Sequence, residues 1–322
     1  MDKLWKQITP SDFSWEREAL EFLRVQLPDH EPYRAWANFE FIAQDGSINE
    51  VDLLVLTPKG LFLVEIKSHP GEISGDAGTW VWVNNGRRKA FDNPRLLADR
   101  KAKKLASLLK SQRAAIRAKE RIPFISTLVF LSAENVINKL QGPARQQVCT
   151  RKNVLDELRH IDEYWTHKKL DRPTSKIVSR ALEEAGIKES LRARRVGLYE
   201  LNELIDEADN FQDWSATHSE TGIHRRIRVY LTHGKSADEA EHLQKAAKLE
   251  FRLLEGIEHP GILRALDYQQ HDQGPALVFE HDPAAVRLDH FITGLGTDQR
   301  LDILDALSLL RQIAEAVRFA HG

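Results

Sequence analysis

The clearest pattern of apolar and polar positions in the chain runs along residues 50–56. At the start of this stretch, charged and apolar residues alternate. Alternation with a period of two residues is typical of a β-strand whose two faces lie in different environments. Val51, Leu53 and Val55 fall on one face of this predicted strand, and Asp52 points to the other. The strand therefore carries a carboxylate on the side opposite its apolar stripe.

A Thr-Pro-Lys-Gly turn joins this strand to a second one at residues 61–67. The second strand is apolar except for Glu65 and Lys67, which are two residues apart and so project from the same face. An acid on one strand and a Glu-x-Lys on the next can converge at the end of such a hairpin. Charges in so apolar a strand are costly unless they have partners, which makes the pair conspicuous.

Turn signals and periodicity place the other elements of the first half. An Asn-Asn-Gly turn predicts a second hairpin, and Ser11 or Ser14 is expected to cap the first helix. The predicted elements are a helix over 14–27, a strand over 35–43, a hairpin over 78–91, a helix from Asn93-Pro94 to about Lys119, a buried strand over 125–131, a helix over 154–165, and a helix that Thr174 caps and that ends at Gly186.

Composition narrows the class of protein. With 322 residues and 42% hydrophobic content, the chain is long enough for two ordinary globular cores. The net charge of −2 means that any nucleic-acid contact must come from a local basic patch. Cys149 is the only cysteine, expected as a small buried hydrophobe, which excludes an intramolecular disulfide and suits a reducing cytoplasm. We expect no signal peptide and no transmembrane helix, since no apolar run reaches about eighteen residues.

The first hairpin suggests a metal site. Two neighbouring carboxylates repel each other, and a divalent cation removes that cost. Mg²⁺ or Mn²⁺ prefers oxygen ligands, which Asp52, Glu65 and the backbone carbonyl of Ile66 can supply. Such a metal lowers the pKa of a bound water and stabilises charge on a phosphodiester, while Lys67 orients or helps to activate the water. The alternative is a solvated hairpin with an ordinary Glu–Lys surface pair.

A series of blocks surrounds this hairpin: the Trp15–Asp29 helix with its Leu-Pro-Asp exit, Glu50-Val-Asp52, Pro58-x-Gly60, Glu65-x-Lys67, a Gly75-Asp76…Trp80 hairpin, and Asn93-Pro94. From about Trp15 to Leu105 the chain thereby resembles the NERD domain, a nuclease-related branch of the PD-(D/E)xK superfamily. The resemblance implies a restriction-endonuclease-like mixed sheet flanked by helices. It also implies a catalytic role for Glu16, which stands at the position of the family's helix glutamate.

One position departs from that family. The family often carries a glutamine four residues after the asparagine of Asn93-Pro94, and this chain has Leu97 there. An apolar side chain cannot replace a hydrogen-bonding one. The departure therefore favours a catalytically silent version of the site.

The helix that begins at Asn93-Pro94 has lopsided charge, and Leu105, Leu108, Leu109 and Ile116 give it an apolar face. A basic surface beside a nuclease centre would follow a phosphate backbone and make binding salt-sensitive. The alternative is an ordinary solvated helix face. The candidate nucleic-acid-binding residues are Arg100, Lys101, Lys103, Lys104 and Lys110.

After an arginine-rich stretch at 191–195, the pattern changes at about Leu198. Residues 250–263 resemble the αC helix of protein kinases and its exit into the next strand. Residues 277–280 resemble the strand that enters the hinge, and residues 304–321 resemble the first long helix of the C-lobe. This resemblance implies a weakly marked nucleotide pocket at Arg228, at the β3-lysine position, with Glu250 as the αC glutamate and Glu280 beside the hinge.

The resemblance fails where phosphate transfer would need it. The three glycine positions of the nucleotide loop fall on Glu207, Asp209 and Gln212, and carboxylates there would repel phosphate. The chain ends at Gly322, before the catalytic loop would come. We therefore expect these residues to be a piece of a longer protein and not a competent protein kinase.

The predicted architecture is α/β followed by α+β: a nuclease-like domain over 1–150, a helical extension over 151–197, and a kinase-like N-lobe with the first C-lobe helix over 198–322. A NERD domain followed by an atypical kinase resembles the kinase-like components of Pgl/BREX-type bacterial phage-defence systems. That implies a bacterial cytoplasm, with nucleic acid, expected to be DNA, and other defence proteins as partners.

Two functions stay open for these residues. The first is a metal-dependent nuclease, and the second is a catalytically silent module that binds nucleic acid or a partner. A third function, an active kinase, is possible only for a longer chain. The sequence does not distinguish DNA from RNA or fix the oligomeric state.

Overall fold

The computed structural model describes residues 4–11, 13–118, 122–159, 170–187, 194–295 and 301–321. Its contacts divide the chain into two units. The first unit comprises Met1–Ala43 and Asn49–Glu189, and the second comprises Gln44–Ile48 and Ser190–Gly322. Each unit has its own sheet and its own apolar core.

The elements up to residue 187 follow one another in this order: β1 Trp5–Gln7, α1 Ser14–Gln26, β2 Arg34–Ile42, β3 Ile48–Leu56, β4 Leu61–Lys67, β5 Gly71–Gly75, β6 Thr79–Asn84, β7 Arg87–Asp92, α2 Pro94–Lys110, α3 Arg113–Ala118, β8 Ile125–Leu131, β9 Val136–Asn138, β10 Val148–Thr150, α4 Val154–Arg159 and α5 Arg172–Ala185.

A mixed sheet forms the centre of the first unit, with the order β1-β2-β3-β4-β8-β10 among the described residues. β4 pairs antiparallel with β3 and parallel with β8, so the strand that carries Glu65 lies inside the sheet. The predicted hairpin is confirmed, and its turn is closed by the Thr57 N–H, which donates to the Gly60 carbonyl at 2.9 Å.

Helices cover both faces of this sheet, as predicted. On one face, Leu20 and Leu23 of α1 and Leu158 of α4 pack with Leu53 and Val55. On the other face, residues of α2 and α5 pack with the rest of the apolar strand positions. Val51 packs on this second side, so its predicted place beside Leu53 and Val55 is wrong.

The second predicted hairpin is also confirmed. β6 and β7 pair across Asn85 and Gly86, whose positive φ values of 50° and 77° suit an Asn-Gly turn. These strands belong to a smaller sheet, with the order β7-β6-β5-β9 in the described part of the chain. Trp80 and Trp82 are buried in its core, which agrees with a packing role for both.

The predicted helix caps are wrong at two N-termini. The N-cap of α1 is Phe13, without a side-chain cap bond, and Ser11 instead bonds Glu16. α5 is capped by Asp171, whose carboxylate accepts from the Thr174 N–H at 3.0 Å. This helix ends at Gly186 with φ 70°, as predicted.

The long basic helix is two helices rather than one. After Lys110 the side chains of Ser111 and Gln112 both donate to the Leu108 carbonyl, at 2.8 and 2.9 Å. Such bonds compete with the helical ladder and end α2. Ile116 of α3 is 64% exposed, so it does not belong to the core face as predicted. The predicted helix ends at Lys119 and residue 165 lie outside the described residues.

The elements of the second unit are β11 Arg195–Val196, β12 Tyr199–Ala208, β13 Phe211–His218, β14 His224–Tyr230, α6 Ala237–Glu255, β15 Ala265–His271, β16 Gly274–Glu280, α7 Leu288–Leu295 and α8 Ile303–His321. The sheet order is β11-β12-β13-β14-β16-β15 within the described ranges, and its pairs are antiparallel. α6 packs on this sheet. A sheet with one long helix after its third main strand is the arrangement predicted for a kinase-like N-lobe.

Two expectations from composition can be compared with the structure. Cys149 is buried, and burial raises the pKa of its thiol to about 12, so it behaves as the predicted inert hydrophobe. In the portion of the chain that the structure covers, none of the helices is both long enough and apolar enough to cross a bilayer.

Candidate functional site

The register of the first hairpin places Asp52 beside Glu65. Leu53 pairs with Val64 in this antiparallel hairpin. The residue before Leu53, which is Asp52, therefore lies opposite the residue after Val64, which is Glu65. The Asp52 carboxylate turns toward β4 and accepts a hydrogen bond from the Ile66 N–H at 2.7 Å. The two acids of the predicted site therefore meet, and the backbone of Ile66 holds one of them.

Glu65 is buried, and each of its carboxylate oxygens binds a different lysine. Lys67 Nζ lies 3.0 Å from Oε1, and Lys101 Nζ lies 3.0 Å from Oε2. Lys101 comes from α2 and is only 7% exposed. A buried carboxylate is tolerated when it is paired and hydrogen-bonded, and these lysines supply both kinds of contact.

The two acids differ in how readily they bind a proton. Burial raises the pKa of Asp52, and the neighbouring Glu65 carboxylate raises it further. Burial alone would also raise the pKa of Glu65, but the Lys101 and Lys67 ammonium groups outweigh it, so that pKa is lowered. Burial acts against charge on Lys101, yet Glu65 and Asp52 together raise its pKa. Glu65 and Lys101 are thus a stable ion pair beside a carboxyl that retains its proton easily.

Glu16 of α1 is partly buried at the edge of this cluster. It accepts hydrogen bonds from Ser11 and from Asn38 Nδ2, the latter at 3.5 Å. Burial raises the pKa of Glu16, whereas the positive charge of Lys67 lowers it. Glu16 makes its hydrogen bonds to Ser11 and Asn38 rather than to the hairpin, so its catalytic role stays a prediction.

The oxygen donors in this cluster suit a hard divalent cation. The second oxygen of Asp52 accepts no hydrogen bond from the residues that the structure describes. Both bonds of Glu16 go to Oε2, so its Oε1 is likewise without a partner in the described chain. Glu65 is different, because a metal would have to share its carboxylate with two lysines. The Ile66 carbonyl stays a predicted ligand.

The structure separates Lys101 from the other basic residues predicted to bind nucleic acid. Arg100, Lys103 and Lys110 are exposed on α2, and Lys104 is partly exposed. These four lie at the surface of the helix, whereas Lys101 points into the protein. The expected surface position of Lys101 is therefore corrected: its positive charge belongs to the hairpin cluster.

A sequence signal for Lys101 exists, although the run of lysines hides it. The buried residues of α2 include Ala98, Ala102, Leu105 and Leu109, spaced by three and four residues. Lys101 falls on that apolar stripe. It also stands one turn after Leu97, the position where the family often has glutamine.

The kinase-like residues of the second unit form another charged cluster. Arg228 Nη1 lies 3.0 Å from Glu250 Oε1, so the predicted pair is brought together. Asp213 is fully buried opposite Arg228 on the neighbouring strand and accepts from its Nε at 2.8 Å and its Nη2 at 3.0 Å. Arg226 also binds Asp213. Tyr230 donates to the other oxygen of Glu250. Sequence reasoning missed Asp213.

The remaining predicted pocket residues do not join this cluster. Glu280 is exposed at the end of β16. Of the three glycine positions, Asp209 is exposed, and Gln212 is buried with its amide bonded to the backbone of Ile48 at 3.0 and 3.1 Å. Gln212 also donates to Glu207 at 3.0 Å. The Gln212 amide is thus already occupied within the second unit, and the carboxylates of Glu207 and Asp209 would repel a phosphate.

Comparison with known proteins finds a family match in the first unit. Residues 11–132 match the family model described as NERD, nuclease-related domain. Over 325 residues the chain is 36% identical to "Probable kinase PglW" of Streptomyces coelicolor, a match that covers 99% of this chain and 20% of that protein. The chain thus resembles PglW over nearly its whole length, and it spans about a fifth of the length of this curated relative.

Two solved structures show a weaker likeness. The PknI kinase domain of Mycobacterium tuberculosis is 14% identical with a TM-score of 0.32, covering 40% of this chain and 51% of that one. The apo form of PpkA-294 is 17% identical with a TM-score of 0.25, covering 28% and 37%. Likenesses this low carry no argument about the second unit.

Proposed function

We propose that the first unit is a metal-dependent nuclease that cleaves phosphodiester bonds, with DNA as its substrate. The observation that carries the proposal is the convergence of Asp52, Glu65 and Lys67 at one end of the hairpin. Glu16 stands within electrostatic reach of the same point. Three acids and a lysine around one site are the groups that metal-assisted hydrolysis needs.

Asp52, Glu65 and the Ile66 carbonyl would hold the cation, Mg²⁺ or Mn²⁺, with Glu16 beside them. When bound, the metal supplies a water of lowered pKa and stabilises negative charge on the phosphate. The Lys67 ammonium group is positioned by Glu65, and it can orient a water molecule or hold a proton near the scissile bond. The Ile66 N–H fixes the Asp52 carboxylate, which limits the reorganisation needed on binding.

The exposed basic residues of α2 would bind the phosphate backbone. Arg100, Lys103, Lys104 and Lys110 lie on the outer side of the helix whose inner side carries Lys101. The resemblance to PglW suggests a bacterial phage-defence setting, in the cytoplasm, with other proteins of the same system as partners. The second unit would regulate the first rather than transfer phosphate.

A second candidate function rests on a specific observation. Both oxygens of Glu65 are already bound by lysines, so the cluster is neutralised without a metal. Together with Leu97 in place of glutamine, this favours a catalytically silent module that binds nucleic acid or a partner protein.

Plasmid nicking separates the two functions. The purified chain is incubated with supercoiled DNA and Mg²⁺ or Mn²⁺, beside Asp52→Asn, Lys67→Met and the control Glu21→Gln, which changes an exposed acid of α1. Nicking by the wild type and the control that both site variants lose supports the nuclease. Equal nicking by the site variants would reject this site. Absence of nicking with DNA retained in a gel shift would support the binding module.

A further inference from the structure

Lys101 is the unexpected member of the hairpin cluster. Lysine is seldom fully buried unless it is paired. Lys101 lies on the apolar stripe of α2 between Ala98 and Leu105, and its Nζ lies 3.0 Å from a carboxylate oxygen of Glu65. The helix thus delivers a positive charge into the sheet face where the acids meet.

The centre of the cluster brings two acidic and two basic side chains together. Asp52 and Glu65 are the acids, and Lys67 and Lys101 are the bases. Lys67 keeps 31% of its side-chain surface exposed, so it can turn toward solvent or substrate. Lys101 has 9% exposed and is held by its own helix. The two lysines are therefore not equivalent, and the buried one is the fixed charge.

We propose that Lys101 is a positioning residue that acts as an internal counter-cation: it holds the Glu65 carboxylate beside Asp52 in the metal-free protein and competes with a divalent cation for that carboxylate. This inference rests on the proposed metal site. It assigns to Lys101 a function distinct from the phosphate binding of its exposed neighbours on α2.

Two consequences follow from electrostatics. Without the Lys101 charge, only Lys67 offsets the repulsion between the buried acids, so the metal-free protein loses stability. A divalent cation would then relieve a larger repulsion and meet no competing ammonium group, so it would bind more tightly, on the order of tenfold or more. A side chain that served only to fill space would affect the first property and not the second.

The test measures thermal unfolding of the 322-residue chain in EDTA and across a Mn²⁺ titration. The variants are Lys101→Met, Lys101→Arg and Lys103→Met, the last being an exposed lysine of the same helix. Lys101→Gln is a second uncharged variant for the case that Lys101→Met does not fold. We expect Lys101→Met to melt several degrees below the wild type in EDTA, by roughly 5 °C or more.

With Mn²⁺, the uncharged variants should gain more in melting temperature than the wild type, with a midpoint at about tenfold lower Mn²⁺. Lys101→Arg and Lys103→Met should respond as the wild type does. Equal Mn²⁺ responses in the wild type and the uncharged variants would overturn the role of Lys101 and leave the metal site standing. No Mn²⁺ response in the wild type would overturn the metal site itself, and the inference with it.

Discussion

Each of the two units contains a cluster in which two basic side chains bind a buried acid, Glu65 in the first unit and Asp213 in the second. The clusters differ in how many of their carboxylate oxygens already have partners. In the first unit, Lys67 and Lys101 each make one contact with Glu65. In the second unit, Arg228 grips both oxygens of Asp213 and also reaches Glu250.

This difference between the clusters follows from their basic side chains, which are lysines in the first unit and arginines in the second. An ammonium group is a compact charge that makes adaptable single contacts, whereas a guanidinium group binds a carboxylate through two parallel hydrogen bonds. The lysine cluster leaves an oxygen of Asp52 without a partner among the described residues, and the proposed cation site rests on this opening. The arginine cluster has both oxygens of Asp213 and both of Glu250 occupied. The first cluster is therefore the one proposed to bind a cation, whereas the second holds β13, β14 and α6 together.

The largest effect on stability is expected from removing the charge of the buried acid in the second unit's cluster. Asp213→Asn would leave Arg226 and Arg228 without their buried acid, at a cost of about 3–5 kcal/mol in the free energy of unfolding of the second unit. Chemical denaturation of the variant and of the control Asp209→Asn, an exposed acid on the preceding turn, measures it. A loss no greater than that of the control would contradict the structural role given to Asp213.

Removing the Asp52 charge should separate stability from activity. Asp52→Asn keeps the shape of the side chain but removes one of the proposed metal ligands, so nicking should fall by about 100-fold or more. The same change removes the repulsion from Glu65 and should not lower the melting temperature at neutral pH. A nicking assay and thermal unfolding on one preparation test both parts, and a fully active variant would exclude Asp52 as a ligand.

Arg228→Lys replaces a guanidinium group of the second unit's cluster with an ammonium group, the kind of base found in the first unit's cluster. It keeps the positive charge on this strand but loses the paired bonds to Asp213. We expect a loss of about 1–3 kcal/mol in the free energy of unfolding, since a hydrogen bond to a charged group is worth about that much. Denaturation of Arg228→Lys and Arg225→Lys, its partly buried neighbour on β14, compares the two. An unchanged stability would show that the paired geometry is unimportant.

The contributions of Asp52 and Glu65 to the stability of the first unit should change with pH in opposite directions. The pKa of Asp52 is raised in the folded protein, so the stability it contributes is present at acid pH and is lost as pH rises through that folded value. The pKa of Glu65 is lowered, so its contribution is present above the ordinary value of 4.5 and is lost as pH falls through the folded value.

Denaturation in EDTA across this pH range can resolve the two acids. As pH rises, the free energy of unfolding of Asp52→Asn should increase relative to that of the wild type by about 1 kcal/mol or more. As pH falls below the ordinary pKa of glutamate, the free energy of unfolding of Glu65→Gln should increase relative to that of the wild type. Parallel curves for the three proteins would mean that these acids do not titrate differently on folding.

The smallest effect is expected on the exposed basic side of α2. Lys103→Met removes one charge that would face a phosphate, so DNA affinity should fall modestly and the slope of affinity against salt should decrease by about 1. A gel shift or fluorescence titration at several salt concentrations measures it. An unchanged slope would place the DNA backbone elsewhere.

Local chemistry explains which features could be predicted. The hairpin of Asp52 and Glu65 is specified by alternation and a four-residue turn, so the sequence alone places both acids. The break after Lys110 depends on two side chains competing for the Leu108 carbonyl, which periodicity does not register. The Asn85-Gly86 turn was predictable because few residues other than Asn and Gly adopt positive φ readily.

The partners across longer distances could not be predicted. Lys101 lies 36 residues from Glu65, and only packing of α2 on the sheet reveals that it is paired rather than solvated. Asp213 meets Arg228 because the strand register sets them opposite each other. Neither contact has a local signature, since a lysine in a basic helix and an aspartate in a polar strand look ordinary.

The most direct test of the difference between the clusters is a calorimetric titration of Mn²⁺ into the chain, beside Asp52→Asn and Glu21→Gln. We predict that the wild type and Glu21→Gln bind Mn²⁺ at one site and that Asp52→Asn loses it. Retention of that site by Asp52→Asn, or absence of Mn²⁺ binding by the wild type, would contradict the claim that the lysine cluster is the one that admits a cation.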